Sequence, residues 1–353
     1  MAKVILTRYL YQLDEVLYSL QQAILNKTSF KEIVFWTNEL FESGYSYETW
    51  QKGFEIYCNF YAVSYPKYEN KFVRLHSSYK RHPHIKYVLN LFHILFYSKL
   101  NLDVFKNNRK IPKRVSDIYL KIPDWVNKLP NIKNNQQFVL SIHNKQYQNI
   151  AYYLYKTRDY ESIYKLIVAY FSTIHNMELK QIKLDSIPYD NKRHICLATI
   201  LYLFKHESEI NKRAIFIRYK HEQYSDFIAQ LNTVITPVYR TLEKQRKWGI
   251  NPRIGYFNLA RYNIKRFDIE TLVRNHWEYF AYRCPRWKKR FKRYKIKIDD
   301  DNMLITFQNN AEEEQFYNKY DYEFDEQSQK VQNKSICKIP CISCKDWIRT
   351  LKN

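Results

Sequence analysis

The sequence predicts a mostly α-helical protein, with packed antiparallel helices in two blocks and a small C-terminal α+β unit that contains a β-hairpin. Apolar residues recur at spacings of three and four through much of the chain, which is the pattern of amphipathic helices. The connections between the first helices are short and favour antiparallel neighbours. A hydrophobic content of 45% in 353 residues is sufficient for a sizeable core and for two or three domains.

The first helical block is predicted over residues 1–100. Its first helix follows from an apolar stripe formed by Leu10, Leu13, Leu17, Leu20 and Ile24. The second helix begins with Ser-Phe-Lys-Glu at 29–32, a capping-box pattern, and ends near Gly44, a candidate left-handed cap. A third helix is expected from about Ser46 to a residue before Pro66, because proline disfavours helical geometry in the residue that precedes it.

The middle of the chain is predicted to contain a connecting segment and a second helical block. A helix over about 84–97 completes the first block. Residues 101–135 are predicted to be a linker or an irregular crossover, because they contain three prolines and two Asn-Asn pairs. The second block covers 136–247. Within it, 195–204 is typical of a buried helix and 215–219 is a candidate short strand.

The C-terminal α+β unit is predicted over residues 248–353. A helix over about 268–283 is followed by a strongly basic helix over about 285–295. Two apolar runs flank a polar stretch and predict a β-hairpin with strands at 296–298 and 304–307. A short helix with acidic residues in its first turn is expected over 312–320.

The formal net charge is +23, and the charges are distributed unevenly. Residues 299–326, hereafter the acidic segment, carry ten acidic side chains and one basic side chain. A strongly basic surface elsewhere on the chain attracts nucleic acid, anionic membranes or acidic proteins. Lys, Asn, Ile, Tyr and Phe are all overrepresented and all have A/T-rich codons, so genome composition is the alternative explanation of the basicity.

The candidate anion-binding site is the basic segment 286–297. Its eight cationic side chains are Arg286, Lys288, Lys289, Arg290, Lys292, Arg293, Lys295 and Lys297. Trp287, Phe291 and Tyr294 lie at spacings of four and three and share one helix face. One interpretation is a helix that neutralises phosphate groups. The other is an amphipathic helix whose aromatic stripe is core, and whose basic face is solvated or neutralised by the acidic segment.

Common cofactor sites are disfavoured by the sequence. The chain has four glycines, and no pair of them fits a dinucleotide-binding or phosphate-loop pattern. No nucleophile elbow is present. We therefore expect no cofactor and no catalytic activity.

Three sets of potential metal ligands are present, namely Cys337, Cys341 and Cys344; His76, His82, His84 and His93; and Asp299, Asp301 and the glutamates 312–314. The cysteines supply three ligands where zinc needs four. The histidines do not converge on one helix face, and a hairpin tip and a helix start account for the carboxylates. We expect no bound metal.

No membrane-spanning or secretory segment is predicted. The longest apolar run, 195–204, is too short for a transmembrane helix, which needs ~20 residues. The six cysteines do not form a dense framework, so a reducing, cytoplasm-like compartment is favoured.

Several motifs resemble an uncharacterised protein family of nucleocytoplasmic large DNA viruses, the giant viruses. They are PVYRTL at 237–242, RNHWEYFA at 274–281, PRWK at 285–288, EQFYNKY at 314–320 and DEQ at 325–327. VILTRYLY at 4–11 and FWTNELFESGY at 35–45 are also similar. The resemblance covers both ends of the chain and leaves roughly 100–240 unmatched. It implies a viral origin but no catalytic residues.

Together these observations predict a non-enzymatic viral protein that acts by binding an anionic partner. The first expectation is a virion-associated or assembly protein, whose partners include other viral proteins. The alternative is a nucleic-acid-binding factor of viral replication or transcription that makes non-specific phosphate contacts. A metal-dependent nucleic-acid enzyme is a more distant alternative. The expected location is the host cytoplasm, at the viral factory, or the virion.

Overall fold

A computed structural model of the chain describes residues 4–115, 122–130, 132, 134–177, 184, 189–205, 218–254, 269–336, 339–340 and 342–351. Within these residues the protein is mostly α-helical, and a two-stranded antiparallel hairpin lies near the C-terminus. The fold class predicted from the sequence is therefore confirmed.

The elements in chain order are α1 (Leu13–Leu25), α2 (Phe30–Ser43), α3 (Ser46–Phe60), α4 (Tyr68–Arg81), α5 (Lys86–Tyr97), α6 (Asp103–Arg109), α7 (Asp124–Asn127), α8 (Gln136–His143), α9 (Tyr147–Lys156), α10 (Tyr160–Ile174), α11 (Tyr189–Lys205), α12 (Glu222–Asn232), α13 (Arg240–Gln245), α14 (Ile269–Asn275), α15 (Trp277–Ala281), α16 (Pro285–Phe291), β1 (Ile296–Asp299), β2 (Leu304–Phe307), α17 (Asn310–Tyr320), α18 (Gln329–Ser335) and α19 (Cys344–Thr350). The 3-10 turn Pro252–Ile254 precedes α14.

These elements form two compact units that are discontinuous in sequence. Unit 1 contains the described residues of Met1–Trp50, His84–Phe96 and Arg218–Asn353, and unit 2 those of Gln51–Pro83 and Tyr97–Ile217. In unit 1, α1 packs on α2, and α2 also contacts α12 and α16. In unit 2, α11 packs against α6, α9 and α10. The four consecutive segments predicted from the sequence stay a prediction.

The first helix begins later than its apolar stripe predicted. Leu10 has a φ of 62°, so it lies in a left-handed turn that cannot continue into a helix. The backbone of Thr7 closes this turn, because its amide donates to Tyr11 O at 2.8 Å and its carbonyl accepts from Leu10 N at 3.0 Å. Only the residues of the stripe from Leu13 onward are helical.

The start and end of α2 lie close to where the sequence places them, but the predicted capping box does not form. The Ser29 side chain makes no capping hydrogen bond. The carboxylate of Glu32 instead accepts from Thr28 Oγ1 at 2.8 Å and from Trp36 Nε1 at 3.2 Å. Gly44 is the left-handed cap, with a φ of 94°, and a Cβ there would lie 2.6 Å from Pro285 Cβ.

The third helix begins at Ser46 and ends at Phe60, before Pro66 as predicted. Other predicted boundaries are corrected by the structure. The predicted linker 101–135 contains two short helices, α6 and α7. The helix predicted over 268–283 is divided into α14 and α15, because His276 has a φ of −134° and interrupts the helical geometry. Most of the candidate strand 215–219 lies outside the described residues.

A buried ion pair in unit 1 joins the N-terminal turn to α2. Arg8 Nε donates to Glu39 Oε2 at 2.9 Å, and the amide of Tyr9 donates to Glu39 Oε1 at 2.9 Å. The side chains of both ionic residues are at most 5% exposed. Burial acts to lower the pKa of Arg8, but the charge and hydrogen bond of Glu39, together with the nearby Tyr9 and Glu42, outweigh it and raise that pKa above the usual value.

The remaining donors of Arg8 bind the end of α12. Its Nη1 donates to Asn232 Oδ1 at 2.9 Å, and its Nη2 donates to the carbonyl of Leu231 at 3.3 Å. The carbonyl of Arg8 accepts a bond from Trp287 Nε1 at 3.1 Å. One residue therefore connects α2, α12 and α16, which lie far apart in the sequence.

A second buried arginine fixes the same turn from the other side. Arg246 Nε donates to the carbonyl of Tyr9 at 3.0 Å, and its Nη1 donates to the carbonyl of Val331 at 3.3 Å. Its guanidinium lies 5.1 Å from the ring centroid of Phe324, a cation–π distance. Burial lowers the pKa of Arg246 to about 10, so the side chain stays protonated at neutral pH.

We predict that Glu39→Ala destabilises the protein by about 3–5 kcal/mol, because it leaves the Arg8 guanidinium buried without its carboxylate. Urea unfolding followed by circular dichroism measures the change. The matched control is Glu42→Ala, since Glu42 is half-buried and lies 3.9 Å from Arg8 Nη1. The control should cost less than about 1 kcal/mol. Equal losses in the two variants would contradict the central role of the Arg8–Glu39 pair.

Candidate anion-binding surface

The predicted basic segment begins with α16, which unit 1 holds firmly. Pro285 occupies the first turn of the helix, where its missing amide is not needed. The thiol of the preceding Cys284 is buried and donates to the carbonyl of Ser43 at 3.3 Å. Pro285 packs against Gly44. The C-terminal end of α2 and the start of α16 are thus in direct contact.

The aromatic stripe of this segment belongs to the core. Trp287 and Phe291 are fully buried, and Tyr294 is half-buried. The indole N–H of Trp287 donates to the carbonyl of Arg8. Phe291 stacks on Phe316 of α17, with ring centroids 4.7 Å apart. Burial of these rings fixes which face of α16 points outward.

Two of the eight predicted anion-binding residues are held by tyrosines. The guanidinium of Arg290 lies 4.2 Å from the Trp287 ring centroid and donates to Tyr322 Oη at 3.1 Å. Arg293 Nη1 donates to Tyr320 Oη at 3.0 Å. These arginines connect the basic segment to the end of α17 and to the residues that follow it.

The five lysines of the segment remain on the surface. We call Lys288, Lys289, Lys292, Lys295 and Lys297 the basic strip, and all five are exposed. Within the part of the chain that the structure describes, none of their ammonium groups has a carboxylate within 4.0 Å. Arg286 is also exposed, and its Nη1 lies 3.8 Å from Glu42 Oε2. The outward charge of α16 and β1 is therefore carried mainly by lysine.

The acidic segment uses its carboxylates in other contacts. Asp299 Oδ1 accepts from the amides of Asp301 and Asn302, both at 3.0 Å, and closes the hairpin turn. Asp300 Oδ1 accepts from Tyr279 Oη at 2.7 Å, and that hydroxyl accepts from Arg283 Nη2 at 3.0 Å. These carboxylates thus serve turns and hydroxyl contacts, and the described residues show no ion pair between them and the basic strip.

One carboxylate next to the acidic segment is strongly perturbed. Burial raises the pKa of Glu278 to about 7, and the charges of Asp321 and Asp325 act in the same direction. The hydrogen bond from Tyr317 Oη to Glu278 Oε1, at 2.9 Å, acts against this rise. Glu278 is consequently half protonated near neutral pH.

The potential metal ligands named above are dispersed among the described residues. Those residues include no group of three or more His, Cys, Asp or Glu side chains that could hold a metal ion. His93 packs edge-on against Phe30 at 4.9 Å, and the ring of His84 lies 5.0 Å from that of His221. Cys344 is half-buried, whereas Cys337 and Cys341 lie outside the described residues. The expected absence of zinc at the three cysteines stays a prediction.

Comparison with known proteins gives no relative. No protein-family model, curated protein or solved structure matches the chain. Among the helices that the structure describes, none is long and apolar enough to span a lipid bilayer.

Sequence reasoning missed the residues that hold Arg290, Arg293 and Trp287 of the basic segment in place. Tyr320 and Tyr322 hold the arginines, and Arg8 holds Trp287 through its carbonyl. The available signal was the choice between arginine and lysine, since a guanidinium stacks on aromatic rings more readily than an ammonium group does.

We predict that Arg290→Gln destabilises the protein by about 1–3 kcal/mol, because the Trp287 contact and the bond to Tyr322 are lost together. Thermal unfolding at neutral pH measures the effect. The control Lys289→Gln removes the same charge from an exposed position on the same helix and should leave stability within about 0.5 kcal/mol of wild type. If Lys289→Gln lost more stability than Arg290→Gln, the distinction between the arginines held by aromatic contacts and the exposed lysines would be contradicted.

We predict that Glu278→Gln stabilises the protein at pH 8 relative to wild type, by roughly 1–3 kcal/mol. The raised pKa means that the folded state holds a proton that the unfolded chain releases. The stability that the folded protein gains from holding this proton is fully present below about pH 4 and is lost as pH rises through about 7. Urea unfolding should show that the difference in free energy of unfolding between Glu278→Gln and wild type is larger at pH 8 than at pH 5. The control is Glu313→Gln, which changes an exposed carboxylate. If this variant showed the same increase between pH 5 and pH 8, the pH effect could not be assigned to Glu278.

Proposed function

We propose that this protein is a non-enzymatic component of a large DNA virus, associated with the virion or acting in its assembly, that binds an anionic partner through the basic strip. The observation that supports binding is the exposure of five lysines whose ammonium groups have no carboxylate partner among the described residues. The motifs that resemble the giant-virus family support the viral part of the proposal. Other viral proteins are the first class of partner.

Binding through this surface follows from simple electrostatics. Lys288, Lys289 and Lys292 lie within five residues on the outward face, so their potentials add near the surface. A lysine that is not paired within its own chain does not have to break an ion pair before it meets a partner. Either an acidic protein surface or a nucleic acid would neutralise these charges.

The second candidate is a nucleic-acid-binding factor of viral replication or transcription. The basic strip continues from α16 onto β1 through Lys295 and Lys297. A set of exposed cations close together in the chain is suited to phosphate contacts and carries no base-reading element. Binding would then be independent of sequence. In either case the expected location is the viral factory in the host cytoplasm, or the particle.

We predict that Lys288→Glu/Lys289→Glu/Lys292→Glu weakens binding to mixed-sequence duplex DNA and to polyglutamate, and flattens the salt dependence. Each lost phosphate contact lowers the slope of log K against log salt by ~0.9 on duplex DNA. Fluorescence anisotropy over a salt series measures both quantities. Folding should be retained, because the aromatic face and Arg290 are unchanged.

The matched control is Lys244→Glu/Lys247→Glu/Lys345→Glu, which makes the same charge change at exposed positions elsewhere in unit 1. Equal weakening by both triple variants would show that net charge alone governs binding and would contradict the assignment to the strip. Mass spectrometry of purified particles tests the virion role, and absence of the protein from them would favour the second candidate.

A further inference from the structure

Unit 2 contains a cleft of about 620 Å³ that the basic strip does not include. Its walls come from the loop between α9 and α10, the first residues of α10, and one side of α11. The charged side chains and the histidine that line it are Arg158, Asp159, Glu161, Lys192, Arg193 and His194. The volume is within the ~300–1,000 Å³ range of small-molecule sites.

Both acidic side chains of the cleft have internal partners. Asp159 caps α10, where its Oδ1 accepts from the amide of Ser162 at 3.0 Å. Glu161 Oε1 lies 3.8 Å from Lys192 Nζ. Lys192 is only 9% exposed, whereas the side chain of Glu161 is 40% exposed. Because Asp159 already occupies the helix N-terminus, the site does not depend on the helix dipole.

Two guanidiniums remain available to a ligand. Arg158 is exposed on the rim and forms no ion pair within the described residues. Arg193 is half-buried, and its Nε is shielded from solvent without a hydrogen-bond acceptor among the described residues. A buried donor without an acceptor is costly, and an anion that enters the cleft could satisfy the guanidinium. Arginine suits phosphate in particular, because its fork of N–H groups matches two phosphate oxygens.

An aromatic surface adjoins the cationic one. The guanidinium carbon of Arg193 lies 5.5 Å from the ring centroid of Tyr155, and Tyr155 is 57% exposed. A large aromatic side chain this exposed has a free face for stacking, and base–aromatic stacking requires no particular base. A phosphate held at Arg193 would bring an attached planar ring close to Tyr155.

We propose that this cleft binds a nucleotide unit, with its phosphate at Arg158 and Arg193 and its base on Tyr155. The chemistry is a phosphate ester that carries a planar base, supplied either as a free nucleotide or as part of a single strand. The cleft shares no residue with the basic strip, so an experiment can contradict one proposal and leave the other standing.

The test uses the full chain with Lys288→Glu/Lys289→Glu/Lys292→Glu, so that the basic strip does not contribute. AMP and a short oligothymidylate are titrated separately by calorimetry at low ionic strength. Arg158→Gln/Arg193→Gln should lower affinity at least about tenfold, because charged hydrogen bonds are lost. Tyr155→Ala should lower it about fivefold or more through loss of stacking, and its exposed position leaves the core intact.

The charge-matched control is Lys145→Gln/Lys156→Gln, two exposed lysines of unit 2 that do not line the cleft, and it should retain the affinity. Binding of AMP identifies a free nucleotide as the ligand, and binding of oligothymidylate alone identifies a single strand. The proposal is overturned if neither probe binds, if the double arginine variant binds as tightly as the control, or if Tyr155→Ala has no effect.

Discussion

The pairing of Arg8 with Glu39 is the interaction on which the rest of unit 1 depends. Transfer of both charges from water to the interior is unfavourable, and only complete hydrogen bonding makes such a pair tolerable. Arg8 meets this condition through Glu39, Asn232 and Leu231, while the amide of Tyr9 uses the second carboxylate oxygen. The pair therefore specifies one arrangement of the N-terminal turn, α2 and the end of α12.

The candidate binding surface is a consequence of this arrangement. The carbonyl of Arg8 receives the indole N–H of Trp287, so the turn that the ion pair fixes also fixes the orientation of α16. With Trp287 and Phe291 inside, the lysines of that helix must face outward. The arginines behave differently because a planar guanidinium stacks on rings and is weakly hydrated, whereas an ammonium group remains in water.

The local features of the fold were predictable from the sequence, and the long-range ones were not. Helical periodicity, the cap at Gly44 and the hairpin all depend on residues close together in the chain. The break at Leu10 could not be predicted from its apolar spacing, because the turn there is fixed by contacts with residues far away in the sequence. The Arg8–Glu39 pair and the tyrosine partners of Arg290 and Arg293 join residues that are 27 to 32 positions apart, and helical or strand spacing carries no information on them.

The same limit explains the outcome for the site. The basic segment and its aromatic face were evident from composition and period. Arg290 and Arg293 are held by Tyr322 and Tyr320, and only the folded chain shows these contacts. The cleft beside Tyr155 was not predicted at all, because its cations come from the loop before α10 and from α11, which are far apart in the sequence.

Residue-resolved lysine labelling tests the central claim most directly. Reductive methylation of the free protein, read by mass spectrometry, should modify Lys288, Lys289 and Lys292 readily, and duplex DNA or polyglutamate should protect them. A buried lysine such as Lys52, 6% exposed, serves as the internal reference. Slow labelling of the strip lysines in the free protein, or labelling that neither anionic probe changes, would contradict the account.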